Sequence, residues 1–94
     1  MKITILFFSF FREHLGIDRI DLFFNESISL MEVLKTVDSR FNGILWKLLF
    51  KDDGSIRSDI HIAVNMSRID VKSIQNTFLS DDSIIAILPA PSGG

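Results

Sequence analysis

The sequence predicts an α+β fold in which one main helix packs on one face of a mixed sheet of four or five strands. Two strongly apolar segments, residues 2–9 and 83–88, have the length of buried strands, and residues 29–41 place apolar side chains at helical spacing. The chain has 94 residues, 47% of them hydrophobic, so it is large enough for one domain with a real core but not for two.

The first strand is predicted over residues 2–9, and both of its faces are apolar. Ile3, Ile5 and Phe7 lie on one face, and Leu6 and Phe8 lie on the other beside Thr4. Such a strand is either central in its sheet or has one face that meets a partner. A short helical turn is expected before Gly16, and a second strand over residues 19–24 is close enough to form a hairpin with the first.

The clearest local signal is a helix that begins after Ser29. The Ser29 hydroxyl can cap this helix while Glu32 reaches back to the amide of the cap, and Asn42-Gly43 supplies a left-handed stop. One face carries the apolar residues Leu30, Val33, Leu34, Val37 and Phe41, so it needs a sheet to pack on. In residues 44–50 periodicity alone leaves helix and strand open, and we favour a second short helix.

The C-terminal half supplies the remaining strands. Residues 60–65 alternate as a half-buried strand, which turns at residues 65–68 toward Ile69 and Val71. The last strand, residues 83–88, has Ile85 and Ile87 on one face and Ile84, Ala86 and Leu88 on the other. Because the first and last strands are the most apolar, we expect them to pair at the centre of the sheet, where a parallel arrangement is possible. One helix across such a sheet is an α+β sandwich of the roll or β-grasp type.

The apolar side chains fall into two groups with different expected roles. Four phenylalanines are predicted core residues: Phe7, Phe24, Phe41 and Phe78. If the end strands pair, Leu6, Phe8, Ala86 and Leu88 share the face that the helix leaves uncovered. An exposed apolar patch of this kind indicates a surface for a protein partner.

Composition and motifs exclude several function classes. The net charge of −2 gives no electrostatic attraction to nucleic acid, and the absence of cysteine removes thiol chemistry and suits a cytoplasmic protein. The apolar opening is too short to span a membrane. His14 and His61 lack partners at metal-ligand spacing, and the chain contains no phosphate-binding glycine loop or nucleophile motif. We therefore expect no metal site and no catalytic site within the domain.

The C-terminal segment "PAPSGG" is the remaining candidate site. Pro89 and Pro91 favour extended backbone, so we expect a domain over residues 1–88 and a tail over residues 89–94 that reaches roughly 20 Å. Gly93 and Gly94 can enter a narrow channel with the terminal carboxylate leading. A carboxylate is a poor electrophile at neutral pH, so it needs activation, and we expect adenylation by an ATP-using partner. The alternative is a frayed glycine end without a role.

Four stretches together resemble the MoaD and ThiS sulfur carriers of the ubiquitin-like β-grasp superfamily, MoaD in particular. They are "ITILFFSFFREHLGID", "SLMEVLKTVDSRF", "IAVNMSRID" and "LSDDSIIAILPAPSGG", and they cover nearly the whole chain. The resemblance implies that a MoeB-like enzyme adenylates Gly94 and that the carboxylate becomes a thiocarboxylate. The tail would then enter a MoaE-like large subunit of molybdopterin synthase and give sulfur to the pterin precursor of the molybdenum cofactor. ATP would be used by the activating partner, with no cofactor bound to this chain.

The same resemblance assigns partner-binding roles to Phe8, Leu88 and Arg68, and to Pro89 and Pro91 in the tail. Arg68 stands where the family often has an apolar residue, which points to altered partner choice. The family's Asp-Gly-Asp turn is here "DDS", so Asp82 is expected in the left-handed conformation. Other readings remain open: a carrier for thiamine thiazole or tRNA thiolation, a modifier conjugated to lysines, or a β-grasp interaction module without chemistry.

Overall fold

Five strands form one mixed sheet in a computed structural model that describes residues 1–90. The spatial order of the strands is β2-β1-β5-β3-β4. Their bounds are β1 Lys2–Phe7, β2 Arg19–Phe23, β3 Ile60–Val64, β4 Ser67–Arg68 and β5 Ser83–Pro89.

The two most apolar strands lie at the centre of the sheet. β1 and β5 are parallel, with Ile5 opposite Ile85 and Phe7 opposite Ile87, whereas the other three pairings are antiparallel. Parallel pairing is possible because the rest of the chain connects the two strands. The predicted central parallel pair is thus confirmed.

The helices also follow the sequence signals. Their bounds are α1 Phe10–Leu15, α2 Leu30–Arg40 and α3 Ile44–Leu49, with a 3-10 helix at Val71–Asn76. The Ser29 hydroxyl accepts a hydrogen bond from the Glu32 backbone N–H at 3.2 Å, which caps α2 as predicted. Asn42 and Gly43 have φ of 54° and 86°, so the left-handed stop is confirmed too. None of the helices in residues 1–90 is long and apolar enough to cross a bilayer.

The core lies between the sheet and the helices. Four residues of α2 are fully buried against the inner face of β1 and β5: Leu30, Val33, Leu34 and Val37. Leu45 and Leu49 are also fully buried, and their four-residue spacing explains why residues 44–49 are helical. Phe41 is partly buried and meets the ring of Phe7 edge to face, with 6.3 Å between the ring centroids.

The prediction of Phe78 as a core residue is wrong. Phe7 is buried and Phe24 and Phe41 pack against the core, but Phe78 is 67% exposed. The segment around Phe78 is extended and bridges Ser29, so neighbouring side chains point in opposite directions. Leu79 takes the inward position and is buried, which leaves Phe78 in solvent.

Four strand ends differ by one or two residues from the expected bounds. β2 ends at Phe23 rather than at residue 24, and β3 ends at Val64 rather than at residue 65. β1 ends at Phe7 rather than at Ser9, because Ser9 has a φ of 52° that no strand can continue. β5 runs through Pro89, which pairs with Ile60, and the Ala90 N–H donates to the Asp59 carbonyl at 2.8 Å. Asp82 has a φ of 63°, which confirms the predicted left-handed conformation.

Candidate functional site

The face of the sheet opposite α2, here called the outer face, carries an apolar centre with a basic residue at each edge. Strand register places one residue of each strand in a single row: Arg19, Leu6, Ala86, Ala63 and Arg68, in the order β2 to β4. Strands lie 4.7–4.9 Å apart, so the row is about 19 Å long between the two arginine Cα positions. We call it the central row.

Phe8 and Leu88 lie on the side of the central row toward the end of β5. Phe8 follows buried Phe7 and is 42% exposed, and its backbone N–H donates to the Ile87 carbonyl at 3.2 Å, which holds it beside β5. Leu88 is half-buried and lies directly opposite His61 of β3. Together with Leu6 and Ala86, which are half-buried like Leu88, they form the apolar surface predicted from strand alternation. Neither Phe8 nor Leu88 packs into the core of the domain.

On the other side of the central row, Ile84 continues the apolar surface. Its side chain belongs to the same alternation as Ala86 and Leu88, and it is 46% exposed. Its strand neighbour Thr4 donates its hydroxyl to Asp21 at 2.8 Å. The apolar surface therefore ends toward β2 in a polar network.

The two arginines of the central row differ in their electrostatic surroundings. The Arg19 guanidinium pairs with the Asp21 carboxylate at 3.2 Å. The Thr4 hydroxyl, first, and the Arg19 side chain, second, donate hydrogen bonds that hold the pKa of Asp21 below its usual value. Arg68 is exposed and forms no ion pair with any residue among 1–90. Of these two arginines, Arg68 therefore has the charge that a partner can bind.

The end of β5 connects the outer face to the C-terminal segment. Pro89 shares the alternation of the inward residues Ile85 and Ile87, so it lies in the strand but not on the outer face. The hydrogen bond from the Ala90 N–H to the Asp59 carbonyl fixes the chain to the residue just before β3. Pro91, Gly93 and Gly94, the other predicted tail residues, lie outside the described residues.

The structure places Phe8, Leu88 and Arg68 on one face and adds three residues to the predicted patch, of which Ile84 was already expected on this face of the last strand. These are Ile84, Ala63 and Arg19. The alternation of residues 60–65 with buried Ile60 and Ile62 was the signal for Ala63. Arg19 could not be found in that way, because its place in the row depends on the register between β1 and β2.

Among residues 1–90, no group of three His, Asp or Glu side chains is arranged to hold a metal ion. The His14 ring nitrogen Nδ1 lies 2.9 Å from the Phe10 carbonyl within α1. His61 is half-buried on β3, in a different element of the fold. The site is therefore described by its apolar surface, its two arginines and the strand that leads to the tail.

Comparison with known proteins decides the family. The sequence profile of the ThiS family matches residues 5–94. This chain belongs to the ThiS family. The family consists of ubiquitin-like sulfur carriers and modifiers, which confirms the resemblance drawn from the sequence. A relative in Haloferax volcanii, small archaeal modifier protein 3, is 22% identical over 94 residues, with all of both chains aligned.

Solved structures share the fold over nearly the full length. SAMP1 from Haloferax volcanii superposes with a TM-score of 0.79 at 16% identity, covering 100% of both chains. A Pyrococcus furiosus protein described as molybdopterin converting factor, subunit 1, has a TM-score of 0.73 at 19% identity and covers 97% of this chain and 99% of its own. These matches confirm the predicted β-grasp fold.

A third structure shows a protein of this fold with a partner. A chain of the Amycolatopsis orientalis BexX/CysO complex has a TM-score of 0.71 at 24% identity, and the match covers 98% of this chain and 99% of that one. Members of the fold thus assemble with other proteins.

Proposed function

We propose that this chain is a sulfur carrier whose C-terminal Gly94 carboxylate is activated and thiocarboxylated, and that it serves as the small subunit of a molybdopterin synthase. One observation carries the proposal: β5 holds three residues of the outer face and continues directly into "PAPSGG". A partner that docks on Ile84, Ala86 and Leu88 is therefore positioned to receive the tail.

The chemistry needs two steps at the Gly94 carboxylate. First, a carboxylate oxygen attacks the α-phosphorus of ATP, pyrophosphate leaves, and a mixed anhydride with AMP forms. Second, hydrosulfide attacks the carbonyl carbon and the bond to AMP breaks, which leaves a thiocarboxylate and free AMP. Neither step is a redox reaction. The adenylating enzyme, a MoeB-like protein, supplies the ATP site.

The outer face supplies the docking energy. Phe8 and Leu88 offer apolar area to the partner next to the end of β5. Arg68 offers a charge with five donors that can bind a carboxylate of the partner in a bidentate arrangement. Arg19 is already engaged by Asp21, so the two edges of the central row are not equivalent.

In the molybdopterin synthase role, the thiocarboxylated tail enters a MoaE-like large subunit and transfers its sulfur to the pterin precursor. The stiffness of Pro89 and Pro91 and the lack of side chains at Gly93 and Gly94 suit a narrow channel. The structural likeness to the molybdopterin converting factor subunit supports this role through its fold.

A second candidate function is protein modification, which the likeness to small archaeal modifier protein 3 favours. The first step is the same. A lysine amine of a target protein then attacks the adenylated carbonyl in place of hydrosulfide, AMP leaves, and an isopeptide bond forms. The two functions share activation and differ in the acceptor.

Intact-mass analysis of the chain ending at Gly94 tests the proposal. The chain is incubated with its MoeB-like enzyme, ATP and sulfide, and we expect the mass gain of one sulfur replacing one oxygen. The matched control carries one alanine added after Gly94 and should stay unmodified. Unchanged wild-type mass, under conditions that load an established carrier, would sink the carrier function. Adding the MoaE-like subunit and the pterin precursor to the loaded chain then distinguishes a pterin acceptor from a lysine acceptor. Only in the synthase role does sulfur appear in the pterin while the tail returns to a carboxylate.

A further inference from the structure

The turn between β3 and β4 carries an exposed apolar residue in a conformation that costs free energy. Val64 pairs with Ser67, so Asn65 and Met66 form a two-residue hairpin loop. Both have positive φ, 50° and 71°, as a type I′ turn requires. Met66 is 99% exposed.

Only one of the two turn residues makes contacts that offset the free-energy cost of its positive φ. Asn65 tolerates the left-handed region, and it fastens the turn to β5: its N–H donates to the Ile84 carbonyl at 2.8 Å, and its side-chain oxygen accepts from the Ile84 N–H at 2.9 Å. Met66 occupies the position where glycine is preferred, and its exposed side chain gains no burial in this domain. Nothing in residues 1–90 offsets the cost of Met66.

We propose that Met66 is a docking residue for the adenylating enzyme and inserts into an apolar recess whose rim carries a carboxylate facing Arg68. The inference rests on the proposed function. We assign Met66 to the adenylating enzyme because adenylation is the first step in each proposed function, whichever acceptor follows. Arg68 lies two residues from Met66 and has no ion pair among residues 1–90, and its basic charge favours an acidic rim over a basic one.

The position of Met66 predicts how it acts. The turn adjoins Ile84 at the start of β5, and Pro89 is five residues further along the strand, about 17 Å away. A residue so far from the tail can hold the carrier on the enzyme without touching the reacting carboxylate. Loss of Met66 should therefore raise the KM for the carrier and leave kcat unchanged.

The experiment measures ATP-dependent pyrophosphate release by the MoeB-like enzyme as a function of carrier concentration. For Met66→Gly we expect a KM raised about tenfold or more, an unchanged kcat, and a thermal midpoint that is equal or higher because glycine relieves the turn. Met66→Leu keeps the apolar contact and should restore a KM near that of wild type. Phe78→Ser removes another exposed apolar side chain, from the segment that bridges Ser29 before α2, and should leave KM unchanged.

The outcomes separate the two claims. A wild-type chain that releases no pyrophosphate with the enzyme overturns the proposed function and this inference with it. A wild-type chain that is adenylated, with Met66→Gly at the wild-type KM, overturns this inference alone. A fall in kcat with unchanged KM also contradicts it, because that result would place Met66 in the activation step rather than in docking.

Discussion

Replacing Phe8 with alanine is expected to weaken binding of the adenylating enzyme about 30-fold. The exposed 42% of Phe8 is the part that a partner can still bury. A phenylalanine offers about 200 Å², so this part is roughly 85 Å², and at about 25 cal/mol per Å² its burial contributes about 2 kcal/mol. The corresponding change in Kd is about 30-fold. The domain itself should remain folded, because Phe8 is not among the residues that pack into the core.

Isothermal titration calorimetry with the MoeB-like enzyme measures this change, and thermal unfolding measures the effect on the fold. Phe23→Ala is the matched control: Phe23 is 75% exposed on the same outer face, at the β2 end remote from Leu88. It should bind within about twofold of wild type, since it lies outside the apolar surface around β5. Equal losses for both variants, or a large fall in the thermal midpoint of Phe8→Ala, would refute the reasoning.

Three further predictions concern the edges of the outer face and the turn before β5. Arg68→Gln should weaken enzyme binding about fivefold at low salt and much less at 1 M salt. Arg19→Gln should leave enzyme binding unchanged, because Asp21 already pairs with Arg19. Equal effects of the two variants across a salt series would contradict the different roles of the two arginines. Asp82→Gly should raise the free energy of unfolding by up to about 1 kcal/mol in urea titrations, because glycine accepts a φ of 63° without strain; a loss would show that the Asp82 side chain stabilises the turn. The hydrogen bond from the Lys2 N–H holds the pKa of Asp81 below 3.8, so stability that is present above pH 3.8 should be lost as the pH falls through the lower folded value. Asp81→Asn should flatten that acid limb, and an unchanged limb would argue against it.

The features that the sequence predicted correctly have a local signal, a strongly apolar strand or a turn that matches a known family. The cap at Ser29 and the stop at Asn42-Gly43 bound α2 through hydrogen bonds and backbone conformations of adjacent residues. The central pairing of β1 with β5 followed from their apolar character alone. The left-handed conformation of Asp82 was predicted because Asp82 stands where the turn of the resembled family has glycine.

The features that the sequence could not supply depend on register and on the environment of single side chains. Phe78 looks like a core residue by type, and only the extended backbone at Leu79 shows which of the two neighbours points inward. Likewise, Arg19 and Arg68 are 49 positions apart, and only pairing across five strands places them in one row. The cost at Met66 becomes visible only from its backbone φ in the structure, since "NMSR" by itself indicates an ordinary turn.

The most direct test of the account is to locate the sulfur. After the chain is loaded with its adenylating enzyme, ATP and sulfide, the C-terminal peptide that contains Pro91 to Gly94 is fragmented in a mass spectrometer. We expect the replacement of one oxygen by sulfur to map to the Gly94 carboxyl group and to disappear in the chain extended by one alanine. Sulfur found at another residue, or a C-terminal peptide with its original mass while an established carrier is loaded in parallel, would contradict the central claim.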